Sequence, residues 1–79
     1  MAKKHYNQTV GFADRLNEAI SDIGMSQKQL AEKIGMERKA VSMLVNGYSM
    51  PNSLILARIC KVLNVSADYL LFGEKGVKL

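Results

Sequence analysis

The apolar residues of this chain recur at helical spacing, and glycine or asparagine breaks the pattern at short intervals. The first apolar stretch runs from about Val10 to Ile23, and its large side chains are three or four positions apart: Phe12, Leu16, Ile20 and Ile23. Residues with this spacing share one face of an α-helix, whereas a half-buried strand would need strict alternation. The sequence therefore predicts an all-α fold of short helices joined by tight turns.

Start and stop signals divide the chain into five predicted helices. Gly24 ends the first helix, and Ser26 with Gln29 forms a capping box that starts the second, which Gly35 ends. The other three helices are predicted at residues 38–45, before Asn46 and Gly47; at 53–63, between Asn52 and Asn64; and at 67–72, between Ser66 and Gly73. The residues expected to face the core from helices two to five are Leu30, Ala31, Ile34, Val41, Leu44, Val45, Leu56, Ile59, Cys60, Leu63 and Leu70.

The length of the chain allows one small domain, because 79 residues cannot bury two separate cores. We expect that domain at residues 10–73, with a flexible basic arm at 1–9 and a tail at 74–79. The single cysteine cannot form an internal disulfide, and no apolar stretch reaches the roughly 18 residues of a membrane span. These features predict a cytoplasmic protein without a membrane partner.

A helix-turn-helix pattern extends from Ser26 to Asn46, with the turn at Gly35-Met36-Glu37. In such a pair the apolar inner faces fix the angle between the helices. The second helix can then lie in the DNA major groove, while the start of the first meets the phosphate backbone. The net charge also favours a polyanionic partner such as DNA, because 11 Lys and Arg against 7 Asp and Glu give +4. We therefore expect double-stranded DNA as the partner.

The chain also resembles a known family, the Cro/cI-type helix-turn-helix proteins, which are also described as lambda repressor-like or as the xenobiotic response element family. The matching segments are MSQKQLAEKIGM at residues 25–36, Val41-Ser42, Asn46-Gly47, Pro51 and LNVS at residues 63–66. The resemblance extends from Phe12 to Phe72 without an internal gap. It implies a compact five-helix lambda repressor-like DNA-binding domain of a bacterial or phage transcriptional regulator, usually homodimeric and most simply a repressor.

Family positions that match this chain give a candidate DNA-binding site around the third helix. The resemblance implies base reading by Arg38, Lys39, Ser42 and Gln27. It implies phosphate contacts by Gln27, Lys28, Asn46, Tyr48, Ser49 and Asn52. Arginine can bind guanine O6 and N7 through two parallel hydrogen bonds, and lysine can reach the same acceptors. We therefore expect Arg38 and Lys39 to read a guanine-containing half-site.

Two residues depart from the family pattern. Glu37 stands where many relatives have a Ser or Thr cap before the recognition helix, which here is the third helix at residues 38–45. Glutamate favours the helix dipole but caps weakly, and it places a negative charge near DNA. Val45 stands where many relatives have Glu before the Asn-Gly pair, which removes a polar interaction and is expected to leave the fold intact.

The apolar residues in the C-terminal part of the chain exceed what one small core needs. They are Leu54, Ile55, Tyr69, Leu71, Phe72, Val77 and Leu79. We expect the first five to form the interface of a homodimer, whose recognition helices would lie about 34 Å apart on a palindromic operator. The alternative is an antitoxin-like or other protein-interaction module, which would cover a protein partner with the same apolar surface.

Catalytic, metal and cofactor chemistry is not expected. With His5 as the only histidine and Cys60 as the only cysteine, the chain offers no catalytic set and no metal site of ordinary ligand number. Cys60 lies on the apolar stripe of the fourth helix, where a free cysteine packs as a small hydrophobe. His5 belongs to the basic arm with Lys3 and Lys4, and such an arm either stays solvated or reaches into a DNA groove.

Overall fold

Five short helices make up the part of the chain that the computed structural model describes, residues 11–73. They are α1 (Phe12–Asp22), α2 (Gln27–Ile34), α3 (Arg38–Val45), α4 (Ser53–Leu63) and α5 (Ala67–Phe72). None of these five has the length and apolar character needed to cross a membrane. The all-α fold class is confirmed, and α3, α4 and α5 have the predicted bounds. The predicted arm and tail lie outside the described residues.

Side-chain caps start α2, α4 and α5 where the sequence predicts them. At α2 the Ser26 hydroxyl accepts a hydrogen bond from the Gln29 N–H (3.0 Å), and the Gln29 side chain accepts one from the Ser26 N–H (2.9 Å). Asn52 and Ser66 cap α4 and α5 through their side-chain oxygens. Glu37, before α3, makes no side-chain cap. Helix α3 therefore begins with weaker local support than α2.

The core is built from apolar residues of all five helices. Its buried members are Phe12, Leu16, Ala19, Ile20, Leu30, Ala31, Ile34, Val41, Leu44, Val45, Ile59, Leu63 and Leu70. The predicted inner faces of α2 and α3 are confirmed, whereas Leu56 and Cys60 on α4 are only half-buried. Helix α2 packs against α3 and α4, and α1 packs against α3 and α5. The polar sides of α2 and α3 consequently face away from this core.

The prediction for Ile23 is wrong. The spacing places it on the buried face of α1, but its side chain is 50% exposed. The helix ends at Asp22, and Ile23 has the backbone angles of a turn (φ −103°, ψ 7°), so it leaves the register that the spacing assumes. Ala19 completes the buried face of α1 instead.

Two arginines connect helices that are distant in sequence. Arg15 on α1 donates hydrogen bonds to the carbonyls of Leu70 (Nε, 2.9 Å) and Leu71 (Nη2, 3.0 Å) in α5. Arg58 on α4 donates from Nη1 to the carbonyl of Ile34 (3.1 Å) at the end of α2. The last carbonyls of a helix lack partners within it, so both arginines satisfy groups that the helices themselves leave open.

Candidate nucleic-acid interface

A three-residue turn joins α2 to α3. Gly35 occupies the left-handed region (φ 77°, ψ 32°), which glycine adopts at low cost, and its N–H donates to the Ala31 carbonyl. The Met36 N–H donates to the same carbonyl (2.9 Å), and the Met36 side chain packs against the core. Glu37 then returns to an extended conformation before α3 begins. The turn thus directs α3 away from the axis of α2.

The outer face of α3 and the first turn of α2 line a polar groove of about 370 Å³. Its lining residues are Gln27, Arg38, Lys39 and Ser42. Arg38 and Lys39 are exposed, while Gln27 and Ser42 are half-buried. The structure therefore brings together all four residues that the sequence predicts to read bases, although Gln27 belongs to a different helix from the others.

Ser42 and Asn46 form a pair on the outer side of α3. The side-chain amide of Asn46 donates a hydrogen bond from Nδ2 to Ser42 Oγ (3.2 Å). A hydroxyl that accepts keeps its own hydrogen for another acceptor, and a side-chain amide has a second N–H. The pair can therefore donate to a base edge and to a phosphate at the same time.

The other predicted phosphate-binding residues differ in exposure. Lys28 in α2 and Tyr48 after α3 are exposed, Tyr48 to 72%, and Ser49 is half-buried. Asn52 is exposed, but its side-chain oxygen accepts a hydrogen bond from the Ile55 N–H (2.8 Å) as the cap of α4. The amide N–H groups of Asn52 are the part of this side chain that can still donate to a phosphate.

Charge is divided unequally among the helices. The segment from α2 to α4 contains the cations Lys28, Lys33, Arg38, Lys39, Arg58 and Lys61 against Glu32 and Glu37. Helices α1 and α5 contain the carboxylates Asp14, Glu18, Asp22 and Asp68 with the single cation Arg15. Positive charge is thereby concentrated in the segment from α2 to α4, and two of its cations, Arg38 and Lys39, line the groove, where they favour a polyanionic ligand.

Asn17 is a residue of this region that the sequence did not single out. Its Nδ2 donates hydrogen bonds to the carbonyls of Ala13 (2.9 Å) and Val45 (2.8 Å), and so connects α1 to the end of α3. The contact with Val45 spans 28 residues, so no local pattern could have indicated it. The Val45 side chain itself is buried in the core. This agrees with the prediction that Val45, in place of the glutamate of many relatives, leaves the fold intact.

The predicted dimer residues divide into two groups. Ile55, Tyr69 and Leu71 are half-buried and pack against the core. Leu54 and Phe72 are exposed, to 58% and 56%. The apolar surface available to a partner within residues 11–73 is therefore smaller than the sequence suggests, and Val77 and Leu79 lie outside those residues.

Cys60 has the surroundings of a packing residue. It is a free thiol, half-buried on α4 beside the core. Burial raises the pKa of the Cys60 thiol, which favours the protonated and less reactive form. Sequence and structure thus assign this side chain to packing, while His5 lies outside the described residues.

Two short helices joined by a glycine turn, with cations on the outer face of the second, define the helix-turn-helix class. A helix-turn-helix family model matches residues 22–70 of this chain. The chain belongs to the helix-turn-helix family, and its resemblance to the Cro/cI type is confirmed.

Several curated relatives are named as transcriptional regulators. The uncharacterized HTH-type transcriptional regulator YqaE of Bacillus subtilis is 32% identical over 86% of this chain and 59% of its own length. The HTH-type transcriptional regulator ImmR of the same organism is 37% identical over 81% of this chain and 50% of its own. The HTH-type transcriptional activator BcrR of Enterococcus faecalis is 34% identical over 86% of this chain and 33% of its own length. The chain thus spans between about a third and three-fifths of the length of these relatives.

The fold is similar to a solved structure. The solution structure of the SOS-response transcriptional repressor LexA from Eubacterium rectale superposes with a TM-score of 0.83 over 98% of this chain and 81% of that chain. Sequence identity is 18%, so this similarity concerns the fold alone. It agrees with the predicted five-helix architecture.

Proposed function

We propose that this protein is a sequence-specific transcriptional regulator that binds double-stranded DNA with α3 in the major groove. The observation that carries the proposal is the polar groove that Gln27, Arg38, Lys39 and Ser42 line together. An α-helix fits the major groove of B-DNA, and these residue types match the donors and acceptors that base edges present there. The names of the relatives agree, since YqaE, ImmR and BcrR are all HTH-type transcriptional regulators or activators.

Each residue of the groove has a role that follows from its chemistry. Arg38 binds the O6 and N7 atoms of a guanine through two parallel hydrogen bonds, and Lys39 donates to the same kind of acceptor nearby. The Ser42 hydroxyl donates to a base edge, because its oxygen already accepts from Asn46. Gln27 lines the same groove as the recognition helix and contacts a phosphate from the start of α2.

Phosphate contacts on either side of α3 orient the domain on the duplex. The residues we assign to them are Gln27, Lys28, Asn46, Tyr48, Ser49 and Asn52. Such contacts supply affinity that falls steeply with salt, but they carry no direct sequence information. They therefore set the position from which Arg38 and Lys39 read the bases.

A homodimer on a palindromic operator is the assembly we propose. The exposed apolar side chains Leu54 and Phe72 support it, with Ile55, Tyr69 and Leu71 beside the core completing the interface. A two-fold dimer places its two recognition helices about 34 Å apart, one helical turn of DNA. Repression by covering a promoter is the simplest mode of action for a cytoplasmic, nucleoid-bound protein of this kind that needs neither cofactor nor catalysis.

The proposal is tested first by selecting sites from a random-sequence duplex library at about physiological ionic strength, since phosphate-driven affinity depends on salt. We expect a palindrome with guanine-containing half-sites about one helical turn apart. Sedimentation of the complex should then give two protein chains per duplex. If no motif is enriched, the proposal fails, and a protein partner of the apolar surface becomes the function to test.

Arg38→Ala then tests base reading. It should lower affinity for the selected site about 10- to 100-fold and relax the preference at one base pair, because one bidentate base contact is lost. The matched control is Lys61→Ala, which removes an exposed cation outside the groove. The control should affect selected and random duplexes equally. If Arg38→Ala also weakens both duplexes equally, Arg38 contacts phosphate and does not read a base.

A further inference from the structure

We propose that Asn17 is a positioning residue for DNA recognition, because its hydrogen bond to the Val45 carbonyl fixes the orientation in which α3 presents Arg38. This inference rests on the proposed function and deepens it. Asn17 lies on α1, which contributes no residue to the polar groove. Its influence on DNA would therefore pass through α3.

The geometry of the Asn17 amide makes this contact directional. Both hydrogens of Nδ2 are engaged, one with the Ala13 carbonyl at 2.9 Å and the other with the Val45 carbonyl at 2.8 Å. The bond to Ala13 lies within α1, so it holds the amide in one orientation relative to that helix. The bond to Val45 then transmits this orientation to the end of α3.

Val45 is the last residue of α3, where carbonyls have no partner within the helix. The neighbouring carbonyls of Met43 and Leu44 accept hydrogen bonds from Tyr48 and Gly47 in the following turn. The Val45 carbonyl accepts from Asn17 on a different helix. Among these last-turn carbonyls it is the one that connects α3 to α1.

The opposite end of α3 has less support, because Glu37 makes no side-chain cap. The helix has 8 residues, which corresponds to a length of about 12 Å. Without the Asn17 bond, a tilt of α3 by about 10° about its buried Val45 end would move the Arg38 end by about 2 Å. A bidentate arginine contact requires distances near 3 Å and good alignment, so a movement of this size breaks it.

A positioning role and a purely structural role of Asn17 predict different results for Asn17→Ala. Asn17→Ala loses the part-buried bond to Val45 but gains helix propensity at an exposed position, so these opposing effects should leave stability little changed. It should instead reduce discrimination between the selected site and a variant with the Arg38-dependent base pair changed, by about fivefold or more. Affinity for a random-sequence duplex should stay within about twofold, because the phosphate contacts remain.

The experiment measures affinity on three duplexes: the selected site, the single-base variant and a random sequence. It compares Asn17→Ala with Asn17→Asp, which keeps the shape but has no N–H to donate, and with Asn17→Gln, which keeps the amide. We expect Asn17→Asp to lose at least as much discrimination as Asn17→Ala and Asn17→Gln to recover part of it. Ser21→Ala, an exposed position on the same helix, is the control.

Arg38→Ala, measured in parallel, separates the two proposals. If Arg38→Ala leaves discrimination unchanged, the proposed base reading has failed and the role of Asn17 fails with it. If Arg38→Ala removes discrimination but Asn17→Ala does not, base reading by Arg38 stands and only the positioning role of Asn17 is overturned. An equal loss on all three duplexes for Asn17→Ala, or a loss that tracks the unfolded fraction in a denaturant titration, also overturns it. Unchanged denaturation midpoints with reduced discrimination support it.

Discussion

Helices α3 and α5 are held to the domain by different kinds of contact. Helix α3 buries three apolar residues, Val41, Leu44 and Val45, and leaves its charged side chains in solvent. Helix α5 buries only Leu70 fully, and Arg15 holds it through two hydrogen bonds to its backbone. Helix α3 is thus held chiefly by side-chain packing, with one bond from Asn17 to its last carbonyl, whereas α5 depends strongly on one arginine.

The difference follows from what each helix must leave free. A helix that offers one face to DNA has to be fixed by its other face, and apolar packing does this without using the polar groups that the ligand needs. Helix α5 has 6 residues, of which only Leu70 is fully buried while Tyr69 and Leu71 are half-buried against the core, so charge-assisted bonds to its carbonyls supplement packing. Stability and DNA recognition should therefore respond to substitutions in different places.

The largest effect on stability is expected from Arg15→Ala. It removes both bonds to the carbonyls of Leu70 and Leu71, and the free energy of unfolding should fall by about 2–3 kcal/mol. Urea denaturation measures this change, and Arg15→Lys should restore only part of it because one ammonium cannot reproduce the planar fork. An equal loss of stability in Arg38→Ala, on the outer face of α3, would contradict this expectation.

Gly11→Ala should have the next largest effect. Gly11 has φ +94°, which L-residues rarely adopt, and a Cβ atom there would lie 2.5 Å from Arg15 Nη1. We expect a loss of about 1–3 kcal/mol from the backbone strain and the displaced guanidinium. In the Arg15→Ala background the same substitution should cost less, since the crowded group is gone. Equal costs in both backgrounds, measured by a double-mutant cycle, would show that Gly11 and Arg15 act independently.

The starts of α2 and α3 allow a smaller, local test. Ser26→Ala removes the capping box and should lower the free energy of unfolding by about 1 kcal/mol. Glu37→Ser supplies the missing cap at α3 and should raise stability by about 0.5–1 kcal/mol. Thermal denaturation of both variants measures these opposite shifts. A destabilised Glu37→Ser protein would show that the glutamate supports α3 by other means.

The smallest expected effect is a pH dependence at the contact between α1 and α5. The Tyr69 hydroxyl donates to Glu18 Oε1 (3.2 Å), and partial burial followed by the Glu18 carboxylate raises the pKa of the Tyr69 phenol. Because the raised value belongs to the folded state, this contribution to stability is complete below the ordinary tyrosine pKa of about 10 and is lost as pH rises through the raised value. Tyr69→Phe should remove that alkaline loss.

Denaturant titrations between about pH 8 and 11 check this expectation, since the range brackets the ordinary pKa of tyrosine. Tyr48→Phe is the matched control, because Tyr48 is exposed and lies outside the contact between α1 and α5. An identical pH dependence of the free energy of unfolding in Tyr69→Phe and the unmodified protein would exclude Tyr69 as the source.

Most of the secondary structure could be predicted from the sequence because its signals are local. The capping box joins Ser26 and Gln29 over three residues. Gly35 and Gly73 end their helices in the left-handed conformation, which glycine adopts at low cost. The failure at Ile23 has a local cause too, since periodicity alone does not locate where α1 stops. Helix spacing also identified the outer face of α3 that carries Arg38.

Local sequence signals were enough to predict the five helices, the caps of α2, α4 and α5, the inner faces of α2 and α3 and the residue types on the outer face of α3. How those helices are held together depends on contacts between residues that are distant in sequence. The bond from Asn17 reaches 28 residues along the chain, and those from Arg15 reach 55 and 56. Each ends on a backbone carbonyl, which every residue carries, so the sequence contains no mark of the partner until packing brings the two groups together.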